Sequence, residues 1–298
     1  MKSSSGTPSA KIIADSISPE GDRLTTMQVT MHRFVLSEFN THRKFSRNSA
    51  SSRAIPLKKQ IQMVEENPAF PLVWQAEKSG MQGGEPLTGH SLLRSQAMWE
   101  DQLDSTLNRI KIYLREVDDN DETPLHKSWV NRLLEPFMWH TVCVTSTEWE
   151  NFFAQRCSPL AQPEIRAVAD AMLWALDGSE PTGARDYYFD IPGDNYHLPY
   201  LQPAEGPLIY MNGYDIRSIS IARSARVSYL TQEGVRDYEK DQQLYERLLS
   251  PNDGPPHWSP FEHVARPARK GEVARGNFDG WIQRRQEIIE ERTSNGRA

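Results

Sequence analysis

Between Ser91 and Val117 the apolar residues Leu92, Trp99, Leu103, Leu107, Ile110, Leu114 and Val117 return mostly at three- and four-residue steps. That period writes a long amphipathic helix. Upstream, Leu24, Met27, Val29, Met31 and Phe34, with Thr25, Thr30 and Val35 adding β-branched character, favour a strand over Thr25–Leu36. Residues Met1 to Gly21 are rich in Ser, Pro and Gly and read as a flexible lead-in. Pro56 opens a short helix through Val64, and Glu66–Gly89 is turn-rich. A second helix is expected over Lys127–Leu134, and Val142 and Val144 alternate as in a short strand. Thr147 and Glu150 have capping-box spacing ahead of Asn151-Phe152-Phe153. Pro163–Leu176 places Ile165, Val168, Met172 and Leu176 on one helical face, with Gly178 as its stop. Gly178–Gly213, rich in Pro, Gly, Tyr and Asp, is expected to wrap the surface. Ile219-Ser220-Ile221 reads as a strand, Tyr238–Leu249 as a helix, and Arg266–Ala298 as a loop followed by a terminal helix.

Composition narrows the class. The chain has 298 residues, 38% hydrophobic and 25% charged, as in a globular protein with a sizeable core. Its net charge of -6 argues against bulk attraction to nucleic acid or membrane. No apolar run approaches a membrane span, and the opening M-K-S-S-S-G-T-P-S-A has no signal-peptide core. Two cysteines, Cys143 and Cys157, fit a reducing compartment, so a cytosolic location is expected. The eight histidines are scattered and no H-E-x-x-H or C-x-x-C occurs, which disfavours a metal centre.

Against this background Thr41–Arg53, T-H-R-K-F-S-R-N-S-A-S-S-R, stands out. It has no apolar face at either the helical or the strand period, and Phe45 is its only large apolar side chain. His42, Arg43, Arg47 and Arg53 are interleaved with hydroxyls and an amide. Guanidinium forks and neutral donors in this mixture suit a phosphate-bearing ligand, although a solvated basic loop has the same composition.

The spacing of His42, Arg43, Ser46, Asn48, Ser51 and Arg53 resembles the R-H-R-x(7)-S signature of the flavin-dependent thymidylate synthases. Thr41 stands where that family has its first Arg, Ser49 where it has Glu, and Glu38 where it has a nucleotide-contacting Gln. Arg132 and Pro136 resemble the family's R-x-x-x-P segment. Asn151-Phe152 with Arg156 and Ala161-Gln162-Pro163-Glu164-Ile165 resembles N-F-x-x-x-R-x(4)-A-Q-x-E-I, with Leu160 at a position that often holds His. Ala225-Arg226-Val227-Ser228-Tyr229 and Ser259-Pro260-Phe261-Glu262-His263 resemble A-R-V-S-[YF] and [ST]-P-F-E-H. In the family these two segments precede the basic loop, whereas here they follow it, so a circular permutation is expected.

The resemblance implies an α+β (α/β) fold with a central, largely antiparallel sheet flanked by helices, in permuted order. Residues 22–265 would form the catalytic domain, 1–21 a flexible segment and 266–298 a helical extension. It implies FAD as cofactor, methylenetetrahydrofolate (a folate) and NADPH as co-substrates, and a homotetramer with shared active sites. Arg156 would be catalytic, polarising the pyrimidine ring. Glu38, Ser49, Ser51, Arg53, Arg132 and Arg156 would bind the nucleotide. Thr41, His42, Arg43, Ser46, Asn48, Asn151, Ser228 and Ser259 would bind FAD, with Glu262 and His263 shaping that pocket. The absence of G-x-G-x-x-G fits a flavin site that is not of Rossmann type.

The implied reaction is C5 methylation of dUMP to dTMP. A retuned pocket acting on dCMP or dUMP and releasing a hydroxymethylated product is the alternative that Thr41 and Ser49 leave open. A relative that binds nucleotide without turnover, and a non-catalytic nucleic-acid-binding protein, are the other readings. The acidic net charge counts against the last. Cys157, beside Arg156, sits where a thiolate would be favoured, yet the family needs no enzyme nucleophile.

Overall fold

The computed structural model describes residues 6–184, 195–202, 204–227, 237–250 and 254–294. A five-stranded sheet holds β1 (Ser9–Ile17), β2 (Arg23–His32), β3 (Ser46–Ser49), β4 (Trp139–Ser146) and β5 (Thr182–Gly183), in the order β3-β4-β2-β1-β5. All pairings are antiparallel except the two-residue β1–β5 contact. The helices among the described residues are α1 (Leu36–Asn40), α2 (Leu57–Glu66), α3 (Gly89–Asp119), α4 (Lys127–Leu133), α5 (Glu150–Arg156), α6 (Pro163–Asp177), α7 (Glu205–Met211), α8 (Ile216–Arg226), α9 (Tyr238–Leu249) and α10 (Arg284–Ser294). A small β6 (Ala265–Pro267) pairs with β7 (Trp281–Gln283). The α/β class with a largely antiparallel sheet flanked by helices is thus observed.

Alternation along β2 and β4 gives the sheet two unlike faces. Met27, Val29, Met31, Val142 and Val144 turn to one side and meet Ile165, Val168 and Met172 of α6 and the rings of Phe39, Phe45 and Phe152. Each such side chain, fully buried, contributes about 1.5–3 kcal/mol. The other side is polar yet equally buried. Thr26 Oγ1 and Thr145 Oγ1 lie 2.6 Å apart, Thr26 contacts His197 Nε2 at 2.7 Å, and Thr145 contacts His263 Nδ1 at 2.7 Å. Tyr200 OH donates to Gln28 Oε1 at 3.2 Å. The C-terminal half therefore docks on the sheet through hydrogen bonds, which buried polar groups require. Its own apolar core joins α8, α9, Phe261, Val264 and Ile288.

Several sequence expectations need correction. The lead-in is no loose tail from Ser9 onward, because β1 pairs along β2 with an irregularity between Ile12 and Ala14. The Thr25–Leu36 strand ends at His32, and the chain then makes one 3-10 turn over Arg33–Val35 before α1. Thr41–Arg53 contains a strand after all. In β3 the inward residues are polar, Ser46 and Asn48, so no hydrophobic alternation betrays it. The capping box is absent: Trp149 occupies the N-cap of α5, while Thr147 Oγ1 accepts the amide of Asp279 at 3.1 Å.

Gly178–Gly213 does not simply wrap the surface. Tyr196, His197 and Leu198 are buried, and the His197 amide bonds to the Ala265 carbonyl at 2.7 Å. Ile219-Ser220-Ile221 lies within α8, where all three residues are fully buried. A helix enclosed on all sides loses its amphipathic period and imitates a strand. Residues 266–298 are more than a loop and a helix: β7 precedes α10, and Trp281 and Phe278 pack with Leu24 and Ala265. Ser228 and Tyr229 lie outside the described residues. Among the described residues no helix is long and apolar enough to cross a membrane.

Candidate functional site

Arg156 sits in the last turn of α5, where a cation is favoured by the helix dipole. Phe152, one turn earlier, is in the core and anchors that helix. The Arg156 Nε donates to His42 Nε2 at 3.0 Å, and its Nη2 donates to Thr41 Oγ1 at 3.2 Å and to the Glu38 carbonyl at 3.4 Å. Thr41 occupies the C-cap of α1, its hydroxyl bonded to the same carbonyl at 2.7 Å. His42 is buried and meets Phe152 edge-on at 4.8 Å. Burial, then the Arg156 and Arg47 charges, hold its pKa below the usual histidine value. A neutral ring with Nε2 as acceptor is what the Arg156 bond needs. No carboxylate pairs with Arg156 among the described residues, so its charge is available to an anionic ligand.

Arg47 links this cluster to a cavity. Its Nη1 donates to the carbonyls of Phe39 at 3.3 Å and His42 at 3.1 Å, and the side chain lines a space of about 670 Å³. Ser49, Ser51 and Arg53 line the same space, as do Lys127 of α4 and Ser259. Among the described residues no carboxylate lines this cavity, and its lining mixes cations with hydroxyls. Three segments far apart in the chain meet at Asn48. Its Nδ2 donates to the Ser224 carbonyl at 2.8 Å, and Ser259 Oγ donates to its Oδ1 at 3.3 Å. Ser224 Oγ is buried without a hydrogen-bond partner among the described residues.

Arg132 is elsewhere. It is exposed, stacks over Trp129 at 5.5 Å, and lines a second cavity of about 780 Å³. That cavity also holds Trp99, Leu160, Gln162, Glu164 and the Arg33–Glu135 ion pair of 3.1 Å. Glu164 is buried and accepts the Leu72 amide at 2.8 Å and Gln162 Nε2 at 2.9 Å, a structural role for the A-Q-P-E-I block. One copy of the chain therefore unites Ser49, Ser51, Arg53, Asn48 and Ser259, sets Arg156 with His42, Thr41 and Glu38 beside them, and leaves Arg132 on another wall. Arg43 and Asn151 are exposed. Ser46 is buried beneath the cavity wall and bonds to Gln283 at 2.9 Å.

The sequence reading gave no role to Lys127, Asn131 or Gln283. Buried Asn131 donates to the carbonyls of Ser52 at 2.8 Å and Ile55 at 3.1 Å, fixing the loop that carries Ser51 and Arg53. Its position beside Arg132 gave no signal, because nothing in the residue order says which helix face will meet the loop. The thiolate expected at Cys157 is not favoured. Burial, then the hydrogen bond that the thiol donates to the Asp170 carboxylate and that carboxylate's charge, push its pKa up to about 11, which the Arg166 charge offsets only in part.

No family model matches the chain, and no curated protein does. Among solved structures it is similar to the UMP/dUMP methylase PolB from Streptomyces cacaoi bound with 5-Br dUMP, at 16% identity and a TM-score of 0.37 over 52% of this chain and 67% of that one. Its structural neighbours thus include that methylase and Thymidylate Synthase X (ThyX) from Helicobacter pylori with FAD and dUMP, the latter at 15% identity and a TM-score of 0.34 over 51% of this chain and 67% of that one.

Proposed function

We propose that the chain is a flavin-dependent enzyme transferring a one-carbon unit to C5 of a pyrimidine deoxynucleotide, dUMP to dTMP. Methylenetetrahydrofolate and NADPH would be its co-substrates. The observation that carries this reading is the junction at Asn48. It ties the basic stretch to Ser224, the residue just before the first of the two motifs that follow it in this chain and precede it in the family, and to Ser259, which opens the second. A circular permutation would rearrange the order while keeping that neighbourhood.

The cavity lining fits the phosphates of a flavin nucleotide: guanidinium and ammonium donors, hydroxyls, and no carboxylate among the described residues. Bound there, FAD would supply the reducing chemistry. This chain's residues do the rest. Ser51 and Arg53 hold phosphate, Ser46 and Asn48 shape the wall, and the neutral His42 orients Arg156. The guanidinium of Arg156 opposes the negative charge that a pyrimidine ring gains as its C5 becomes nucleophilic. Arg132, on a separate wall, would complete the site of a neighbouring copy in a homotetramer.

The test is a product assay with dUMP and dCMP, read by mass for a methyl or hydroxymethyl group. Methylated dUMP is the expected product. A hydroxymethyl product would favour the second reading, which Ser49 on the cavity wall and Thr41 beneath Arg156 motivate. Colourless protein without turnover on either nucleotide would end both. Cys157→Ser is expected to keep kcat within about twofold, since a thiol with its pKa at about 11 is protonated at neutral pH. Loss of turnover with flavin still bound would make Cys157 a nucleophile.

A further inference from the structure

Residues 276–285 have no counterpart in the motifs that point to the site, yet they reach it at three places. Asp279 pairs with Lys44 at 3.2 Å, Asn277 Nδ2 donates to Ser46 Oγ at 3.3 Å, and Gln283 Nε2 donates to Ser46 Oγ at 2.9 Å. The same Gln283 amide also donates to the Glu262 carbonyl at 3.0 Å. A single buried side chain thus bridges β3 and the Ser259–Glu262 turn, two segments that both line the cavity and meet at the Asn48–Ser259 bond. Arg285 adds an ion pair to the Glu262 carboxylate, and the Arg284 amide bonds to the Val264 carbonyl at 2.8 Å.

The space around Gln283 is specific to it. A Cβ on Gly276 would stand 2.1 Å from Gln283 Oε1, so glycine there lets the amide reach Ser46. Replacing that glycine would displace the Gln283 side chain, to which the three nearest atoms all belong.

We propose that Gln283 is a positioning residue: it clamps β3 to the Ser259–Glu262 turn and so holds in place the stretch of cavity lining that Asn48 and Ser259 share, for its phosphate-bearing ligand. The proposal rests on the flavin reading for the identity of that ligand, but not for the clamp itself. The C-terminal segment is then a brace of the site and no appendage.

Gln283→Met keeps the side-chain length and removes both donors. Gly276→Ala moves the same amide without changing it. Glu291→Ala is the control, since it loses only the pair that an exposed carboxylate makes with Arg284. Two quantities are measured on the full chain: FAD affinity by titration, and amide hydrogen exchange of Ser46–Ser49. The expected result is FAD binding weakened about tenfold in Gln283→Met and Gly276→Ala, with faster exchange in β3 and no change in Glu291→Ala. Unaltered β3 exchange in both site variants overturns the clamp whatever flavin does. Faster exchange in a chain whose wild type binds no FAD keeps the clamp and removes the flavin reading. Equal losses in Glu291→Ala would reduce Gln283 to general stabilisation and overturn the proposal.

Discussion

Replacing Arg156 with alanine is expected to lower kcat on the pyrimidine nucleotide about 100- to 1000-fold, the usual loss when one preorganised donor is removed from a developing negative charge. The geometry gives the reason. Arg156 is half-buried and held by His42, Thr41 and the Glu38 carbonyl, all neutral acceptors. Its position is fixed while its charge stays unspent. The variant leaves His42 Nε2 and the exposed Thr41 Oγ1 without that donor, while the Glu38 carbonyl keeps its bond from the Thr41 hydroxyl, so the fold should persist. Nucleotide affinity should fall far less than kcat, because the ring gains its charge during reaction and not on binding. Arg156→Lys should recover little, since a point charge on a flexible stem cannot keep three directed bonds. Single-turnover rates beside nucleotide titration make the comparison. A wild-type kcat in Arg156→Ala would take this residue out of the chemistry.

Acid should unfold the chain steeply. His140, His197 and His263 are all buried, and burial lowers each pKa to about 3, with the Arg33 charge assisting at His140. Asp15 works in the opposite direction at His197 without reversing the shift. In the unfolded chain these rings titrate near 6.5, so below that pH the unfolded state binds protons that the native state refuses. Stability is therefore complete above about pH 6.5 and falls as pH drops toward 3. Three such groups give a slope of about 4 kcal/mol per pH unit between roughly pH 6 and 4. Denaturant unfolding at pH 7, 6 and 5 measures it. A flat profile over that range would mean that the three rings accept protons in place. His197 and His263 hold the polar layer between the sheet and the C-terminal half, so that contact should open first.

Elements that announced themselves in the sequence bury one apolar stripe against one neighbour. The long α3 shows its period because Leu103, Leu107 and Ile110 are buried while residues between them meet solvent. Tyr238–Leu249 was legible for the same reason. Residues enclosed on every side gave the wrong period, as Ile219–Ile221 did. A strand whose inner residues are Ser46 and Asn48 gave none, since its partners Gln283 and Ser224 lie some 176 to 237 residues away. The site was legible through chemistry: a basic stretch rich in hydroxyls found the cavity that Ser51 and Arg53 line. What joins Arg156 to His42, or Asn131 to the loop at Ser52, is tertiary and left no local trace.

The margins of the sheet carry a further consequence. One is β3, four residues of Ser, Arg and Asn beside the Ser259–Glu262 turn, and the other is β5, two residues long. Neither offers a stranger's backbone a long, flat, greasy ladder to extend, which is how sheets seed aggregates. The residues suited to gripping phosphate thus also guard an open edge against unwanted strand addition.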